Sequence, residues 1–298
     1  ADYKQKMAEK QTVLERVRGM EDQSFMQAWE NVHRELQDGS PMMISLACNN
    51  KKFVVTHGGD IWRHTKPRAT KDGIVVIEPE FGFGNGDVER SLRGNWMPVP
   101  VVSKGEEGVR YEQETFVAPF KKKAPEDSPW WFRYNSVCVS ELSIENCDTV
   151  SKEVMVSLKI SADKKNKAVA ELKDYGEVIA ASKDGKLVAA AEIVNLVFLD
   201  VDFKDGKLTV NGTLPSHIKE TFKVYIPNWE IKEGDYKVLT DGDDYRDRME
   251  VHWKKLMADS MQIDIPEPML LDIIKASQVH CYLAARENET GSLIAPWI

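Results

Sequence analysis

Long apolar runs are missing from this sequence. No stretch of the 298 residues approaches the roughly 18 uninterrupted apolar positions of a membrane-crossing helix, so no membrane span is expected. Cysteine is scarce: four residues are too few for a disulfide scaffold. Cys138 and Cys147 are near enough in sequence to meet across a hairpin, but buried free thiols are the simpler expectation. A surplus of basic charge is also lacking. Forty Lys and Arg stand against 48 Asp and Glu, a net charge of −8. Phosphate backbones are held by clustered cations, so nucleic acid is not expected as a main partner.

Several chemical signatures are absent as well. Phe81-Gly-Phe-Gly-Asn-Gly-Asp87 has the spacing G-x-G-x-G, and no amphipathic helix follows it. It reads as a flexible connection rather than a phosphate loop. Thr240-Asp-Gly-Asp-Asp244 lacks the bidentate Glu of a calcium loop and reads as an acidic turn ahead of a helix. None of the six histidines pairs with another ligand one helical turn away. His57 and His64 are the closest pair, and no metal or other cofactor is expected. No G-x-S-x-G elbow occurs, so a hydrolase serine is unsupported.

What is present is a globular composition, 42% hydrophobic and 30% charged, with length for one large or two medium domains. Residues 1–38 read as helical. Val13, Val17 and Met20, then Phe25, Trp29, Val32 and Leu36, recur every three or four positions, and Ser24 suits the cap of the second helix. From residue 39 to 229 the period falls to two or to short apolar runs, as in MMISLAC, KKFVVTH, GIVVIEPEF, WMPVPVV, VRYEQETFVAPF and FRYNSVCVSELSI. Ser182-Lys-Asp-Gly-Lys186 and Phe203-Lys-Asp-Gly-Lys207 are hairpin turns, because glycine accepts positive φ. The Ala-rich segment around AVAELKDYGEVIAAS is assigned to strand despite its helical composition. Many strands with short connections predict two large packed antiparallel sheets. The fold class expected is therefore mainly β: a large antiparallel sandwich with N-terminal helices and a C-terminal helical linker leading into a truncated helical domain.

The linker spans 230–262. Tyr245, Met249, Trp253 and Leu256 form one stripe of a helix from Asp244 to Ala258. Residues 263–298 differ. Asp264 is the expected cap, Pro266 and Pro268 suit a first turn, and apolar residues from Met269 to Ala284 then point nearly all round. A helix apolar on most of its circumference is a buried one. Its cover is expected from neighbouring helices, in chain beyond Ile298 or in a partner chain; the alternative is that it docks on this chain's own sheet, with Ile298 a natural end. Glu287 to Gly291 reads as a turn and GSLIAPWI as a second apolar start.

Aromatics give the clearest hint of a ligand. Trp62, Trp96, Trp130, Trp131 and Trp229 fall in or beside expected loops, with Arg63 next to the first. Sugar rings stack on flat aromatic faces while charged side chains bond the hydroxyls, so Trp62, Arg63, Trp96, Trp130 and Trp131 are the candidate carbohydrate-binding residues. For any single Trp, covering the sheet core is the simpler reading. Glycoside cleavage would need two carboxylates across a bound sugar, and no spacing identifies such a pair.

The segment RMEVHWKKLMADSMQIDIPEPMLLDIIKASQVHCYL resembles a junction of the six-hairpin glycosidase-like proteins. Trp253, Ile265-Pro-Glu-Pro268 and the helix after them carry the resemblance, with Ile226-Pro-Asn-Trp229 and RGNWMPVPVV upstream. It implies a β-supersandwich leading into an (α/α)6 barrel, a glycoside hydrolase acting on oligo- or polysaccharide, and a periplasmic or secreted setting. In that family the catalytic residues lie on barrel loops, so this resemblance assigns none here and implies an inactive chain without the barrel. A noncatalytic carbohydrate-binding or scaffold sandwich is the alternative.

Overall fold

The computed structural model describes residues 18–19, 24, 27, 41–63, 74–81, 88–120, 133–163, 168–240, 244–288 and 291–294. Residues 1–40 and 41–298 form two compact units. In the first, the backbone N–H of Gln27 donates to Ser24 Oγ at 3.3 Å, and Gln27 Oε1 accepts from the Ser24 N–H at 2.9 Å. Ser24 is thus the helix cap expected, in a reciprocal capping box. The rest of the 1–38 expectation lies outside the described residues.

The second unit is built from strands β1 (Met42–Ile44), β2 (Phe53–Val55), β3 (Ile61–Arg63), β4 (Ile74–Phe81), β5 (Glu89–Leu92), β6 (Pro100–Glu106), β7 (Val109–Pro119) and β8 (Ser136–Asn146). There follow β9 (Lys152–Lys159), β10 (Ser161–Asp163), β11 (Ala168–Val169), β12 (Glu171–Asp174), β13 (Val178–Lys183), β14 (Lys186–Glu192), β15 (Leu199–Lys204), β16 (Lys207–Leu214) and β17 (Lys219–Pro227). Helices α1 (Lys237–Thr240), α2 (Tyr245–Ala258) and α3 (Pro268–Ala284) come next, then the hairpin β18 (Ala285–Asn288) and β19 (Gly291–Ile294).

Two large antiparallel sheets result, beside the two-stranded pairs β10-β11 and β18-β19. A seven-stranded sheet runs β1-β2-β3-β4-β9-β16-β15, and an eight-stranded sheet runs β12-β13-β14-β17-β8-β7-β6-β5. Their facing sides enclose one core, with Phe53, Val55, Ile61, Leu158, Leu208 and Val210 from one sheet and Tyr111, Leu142, Ile144, Phe222 and Val224 from the other. The eight-stranded sheet is buried on its other side too. There Phe116, Val139, Ala190 and Tyr225 meet Leu239, Tyr245, Met249 and Trp253 of the helices. The linker stripe therefore packs as its spacing predicts, on β7.

The Ala-rich segment does form strands, because Ala180, Ala181, Ala189, Ala190 and Ala191 let neighbouring layers approach and are at most 1% exposed. Both Asp-Gly turns have positive φ at each central residue, 53° and 71° at Asp184-Gly185 and 50° and 72° at Asp205-Gly206. That is the twist a two-residue hairpin needs. Cys138 and Cys147 do not face each other across a hairpin. Cys138 lies on β8 and Cys147 just past its end, so roughly 30 Å of extended chain separates them. Both are free thiols, but Cys147 is exposed while Cys138 is buried, which pushes its thiol pKa up.

Two expectations about the last helix change. Asp264 is not its cap; Glu267 is, and Pro268 is the first helical residue. A residue before proline is driven to extended backbone, so Ile265 and Glu267 hold back the start. The helix is also not buried. Val279 and Leu283 are 1% and 3% exposed, but Ile273 is 37% exposed, and Met269, Leu270, Leu271 and Ile274 are half-buried. No helix among the described residues is long and apolar enough to cross a membrane.

Candidate functional site

The candidate site lies where sandwich and helices join, and the end of β17 starts it. Arg63 Nη1 donates to the Pro227 carbonyl at 2.7 Å, tying β3 of one sheet to β17 of the other. Burial lowers the Arg63 pKa, with Glu230 opposing the shift. A guanidinium held this way braces the junction. Trp229, two residues on, packs against Phe120 with ring centroids 4.5 Å apart and planes tilted by 48°. Arg248 of α2 donates to the Pro119 and Phe120 carbonyls and pairs with Asp244 at 2.6 Å. The acidic turn before α2 thus works through Asp244, although Asp241 to Asp243 lie outside the described residues.

A second brace is ionic. Glu114 on β7 accepts from Arg93 at 2.9 Å and from Arg246 of α2 at 2.8 Å. Arg246 also pairs with Glu141 of β8 and lies over the Phe116 ring, and Glu250 joins Arg93 and Lys254. Burial alone would push the Glu114 carboxyl up, but the bonds from Arg246 and Arg93 hold it below the usual range. These carboxylates are engaged by arginines and fasten α2 to the sheet.

The third connection holds α3 at one end. The Cys48 N–H donates to the Tyr282 carbonyl at 2.8 Å, and Asn50 Nδ2 donates to the Glu287 carbonyl at 3.1 Å. Between them Lys52, 2% exposed, places Nζ 2.6 Å from the Leu283 carbonyl and 3.2 Å from the Ala285 carbonyl and Ser45 Oγ. An ammonium at carbonyls left open by a helix C-terminus meets the negative end of the helix dipole. Burial, then the nearby Arg286 charge, brings the Lys52 pKa down to about 8. The C-terminal end of α3 is therefore gripped, while its N-terminal half is only half-buried.

Between α2 and α3 runs a groove of about 330 Å³. Trp96 forms part of its wall with Met257, Leu271 and Ile274, and Lys254 and Lys275 border it. Trp96 sits there because Gly94 and Asn95 turn the chain with φ 59° and 64°. Asn95 Nδ2 then bonds Asp272 of α3 at 3.1 Å.

The candidates named from sequence are dispersed. Trp62 and Arg63 are on β3 of the seven-stranded sheet, and Trp96 follows β5 at the far edge of the eight-stranded sheet. Trp62 is half-buried in register with Val54 and Val75, whereas Trp96 borders the groove between α2 and α3. Trp130 and Trp131 lie outside the described residues, as do His64 and the glycines at 82, 84 and 86. Sequence reasoning missed Lys52 and Glu114. Lys52 acts on a helix more than 200 residues away, and no local pattern could signal that. Among the described residues no group of three or more His, Cys, Asp or Glu is placed to hold a metal.

No family model and no curated protein matches the chain. Among solved structures, a putative kojibiose phosphorylase from human microbiome aligns with 81% of this chain and 36% of its own, at 9% identity and a TM-score of 0.31. The chain thus spans about a third of that protein's length. A likeness this distant carries no weight for activity.

Proposed function

We propose that this chain is the β-sandwich and linker portion of a carbohydrate-active enzyme, and that α3 seats a helical domain whose loops do the chemistry. The observation carrying this reading is the state of α3. It follows a two-sheet sandwich and a linker helix, it is gripped at its C-terminal end by Lys52, and before Val279 its Ile273 is exposed while Met269, Leu270, Leu271 and Ile274 are only half-buried. A helix of that composition is stable when other helices cover it. The carboxylates of the junction are bound to arginines, which leaves them poor candidates for proton transfer to a sugar. Those carboxylates are therefore not expected to cleave a glycosidic bond.

The test compares the 298-residue chain with a form joined to a helical domain. Glycosidic bond cleavage should be absent in the first and present in the second. Cleavage by the chain alone would overturn the proposal, as would inactivity of the joined form across a broad panel of oligosaccharides.

A second reading is a noncatalytic carbohydrate-binding module, favoured by the position of Trp96 in the groove. Calorimetry separates the two. Oligosaccharide binding by the isolated chain that is lost in Trp96→Ala supports a binding module, while no binding at all leaves the docking role.

A further inference from the structure

The free edge of the seven-stranded sheet presents a surface that the junction does not use. β15 is the last strand in that sheet, and among the described residues nothing pairs with its outer side. The loop before it exposes Val194 (48%), Val197 (79%) and Phe198 (46%). That loop is not slack. Glu220, 5% exposed, accepts the N–H groups of both Val197 and Phe198 at 2.8 Å. A buried carboxylate therefore fixes an apolar knob at the start of β15. At the other end of the strand lies a groove of about 520 Å³ lined by Val169, Leu172, Phe203 and Gly206. Its Val169 and Phe203 are 46% and 37% exposed.

A knob at one end of a free edge and a groove at the other make the edge complementary to itself. A two-fold axis across the strand exchanges its ends, as in an isologous interface. We infer that two copies of this chain pair antiparallel through β15, the Val197–Phe198 knob of each entering the Phe203–Gly206 groove of the other. This surface is separate from the carbohydrate reading and stands or falls without it.

The register follows from the side chains. Asp200, Asp202 and Lys204 pair with Asn211, Thr209 and Lys207 on the outer face, while Val201 and Phe203 pair with the buried Val210 and Leu208 on the inner face. Residues opposite each other in an antiparallel pair point to the same face, so the axis must pass through a residue and not between two. An axis at Val201 sets Asp200 against Asp202 twice, which is repulsive. An axis at Phe203 pairs little of the strand. An axis at Asp202 pairs Asp200 to Lys204 of both copies, sets Asp200 against Lys204 twice, joins Val201 to Phe203, and brings Phe198 opposite Gly206. Its unfavourable contact is Asp202 facing its own copy, where Asn211 Nδ2 lies 3.5 Å from Asp202 Oδ2. Charges on an edge strand usually block pairing. Here they disfavour the axis at Val201 and admit this one.

Analytical ultracentrifugation of the full chain is the test. The expected species is a dimer, with twice the 33.8 kDa chain mass. Asp200→Lys should weaken association about tenfold, and adding Lys204→Asp should restore it. Asp202→Asn should tighten it, and Val197→Asp should abolish it with circular dichroism unchanged. A monomer at every accessible concentration overturns the inference. So does a dimer indifferent to Val197→Asp, or a charge swap that fails to rescue.

Discussion

His252 shows how far a single side chain can be removed from water in this fold. It is 3% exposed on α2, edge-on to Trp253 at 5.5 Å, and burial brings its pKa down to about 4 from 6.5. The folded form therefore binds fewer protons than the unfolded chain between those values. Its contribution to stability is complete above pH 6.5 and is lost as pH falls toward 4. Acid melts should show a loss of about 3 kcal/mol over that window, and His252→Leu should flatten that part of the curve. Arg246 makes a second test. Arg246→Met leaves Glu114 and Glu141 short of a partner and should cost about 2–3 kcal/mol in denaturant titrations. Glu114→Gln in the same chain should recover part of it. Neither residue stands out in the sequence. His252 reads as one of many polar positions on a helix, and Arg246 as a solvated charge, because the partners of Arg246 come from strands far away in the chain.

At the scale of elements, legibility follows the reach of the interactions. The hairpin at Asp205-Gly206 is readable because its cause is local. A Cβ at Gly206 would lie 1.9 Å from Val169 Cγ1 at φ 72°, so Gly206→Ala should destabilise by more than about 1 kcal/mol in thermal melts. The stripe of α2 is readable for the same reason, its period being set by the helix itself. The start of α3 differs from expectation because proline restrains the residue before it, which outweighs the capping preference of Asp264. The anchoring of α3 is invisible in the sequence, since Lys52 lies on the loop entering β2. Lys52→Met should raise amide exchange across Leu283 to Glu287 at least about tenfold while leaving β7 and β8 unchanged. Equal acceleration in those strands would show that Lys52 supports the whole sandwich rather than one helix end.

For the molecule as a whole, the two-sheet architecture is the most legible level, since alternation and Asp-Gly turns determine it strand by strand. The site is the least legible. Trp62 and Arg63 lie on one sheet and Trp96 just past the edge strand of the other, and the order of strands within sheets cannot be read from spacing. In the proposed reading, α3 is docked at its C-terminal end and takes its cover along the rest from a helical domain. Hydrogen exchange followed along α3 in the isolated chain tests this most directly. Amides from Leu271 to Lys275 should exchange at least about a hundredfold faster than those from Val279 to Ala284, because an uncovered helical segment opens locally. Uniformly slow exchange along the helix, at the rate of global unfolding, would show that the sandwich buries α3 by itself and would contradict the account.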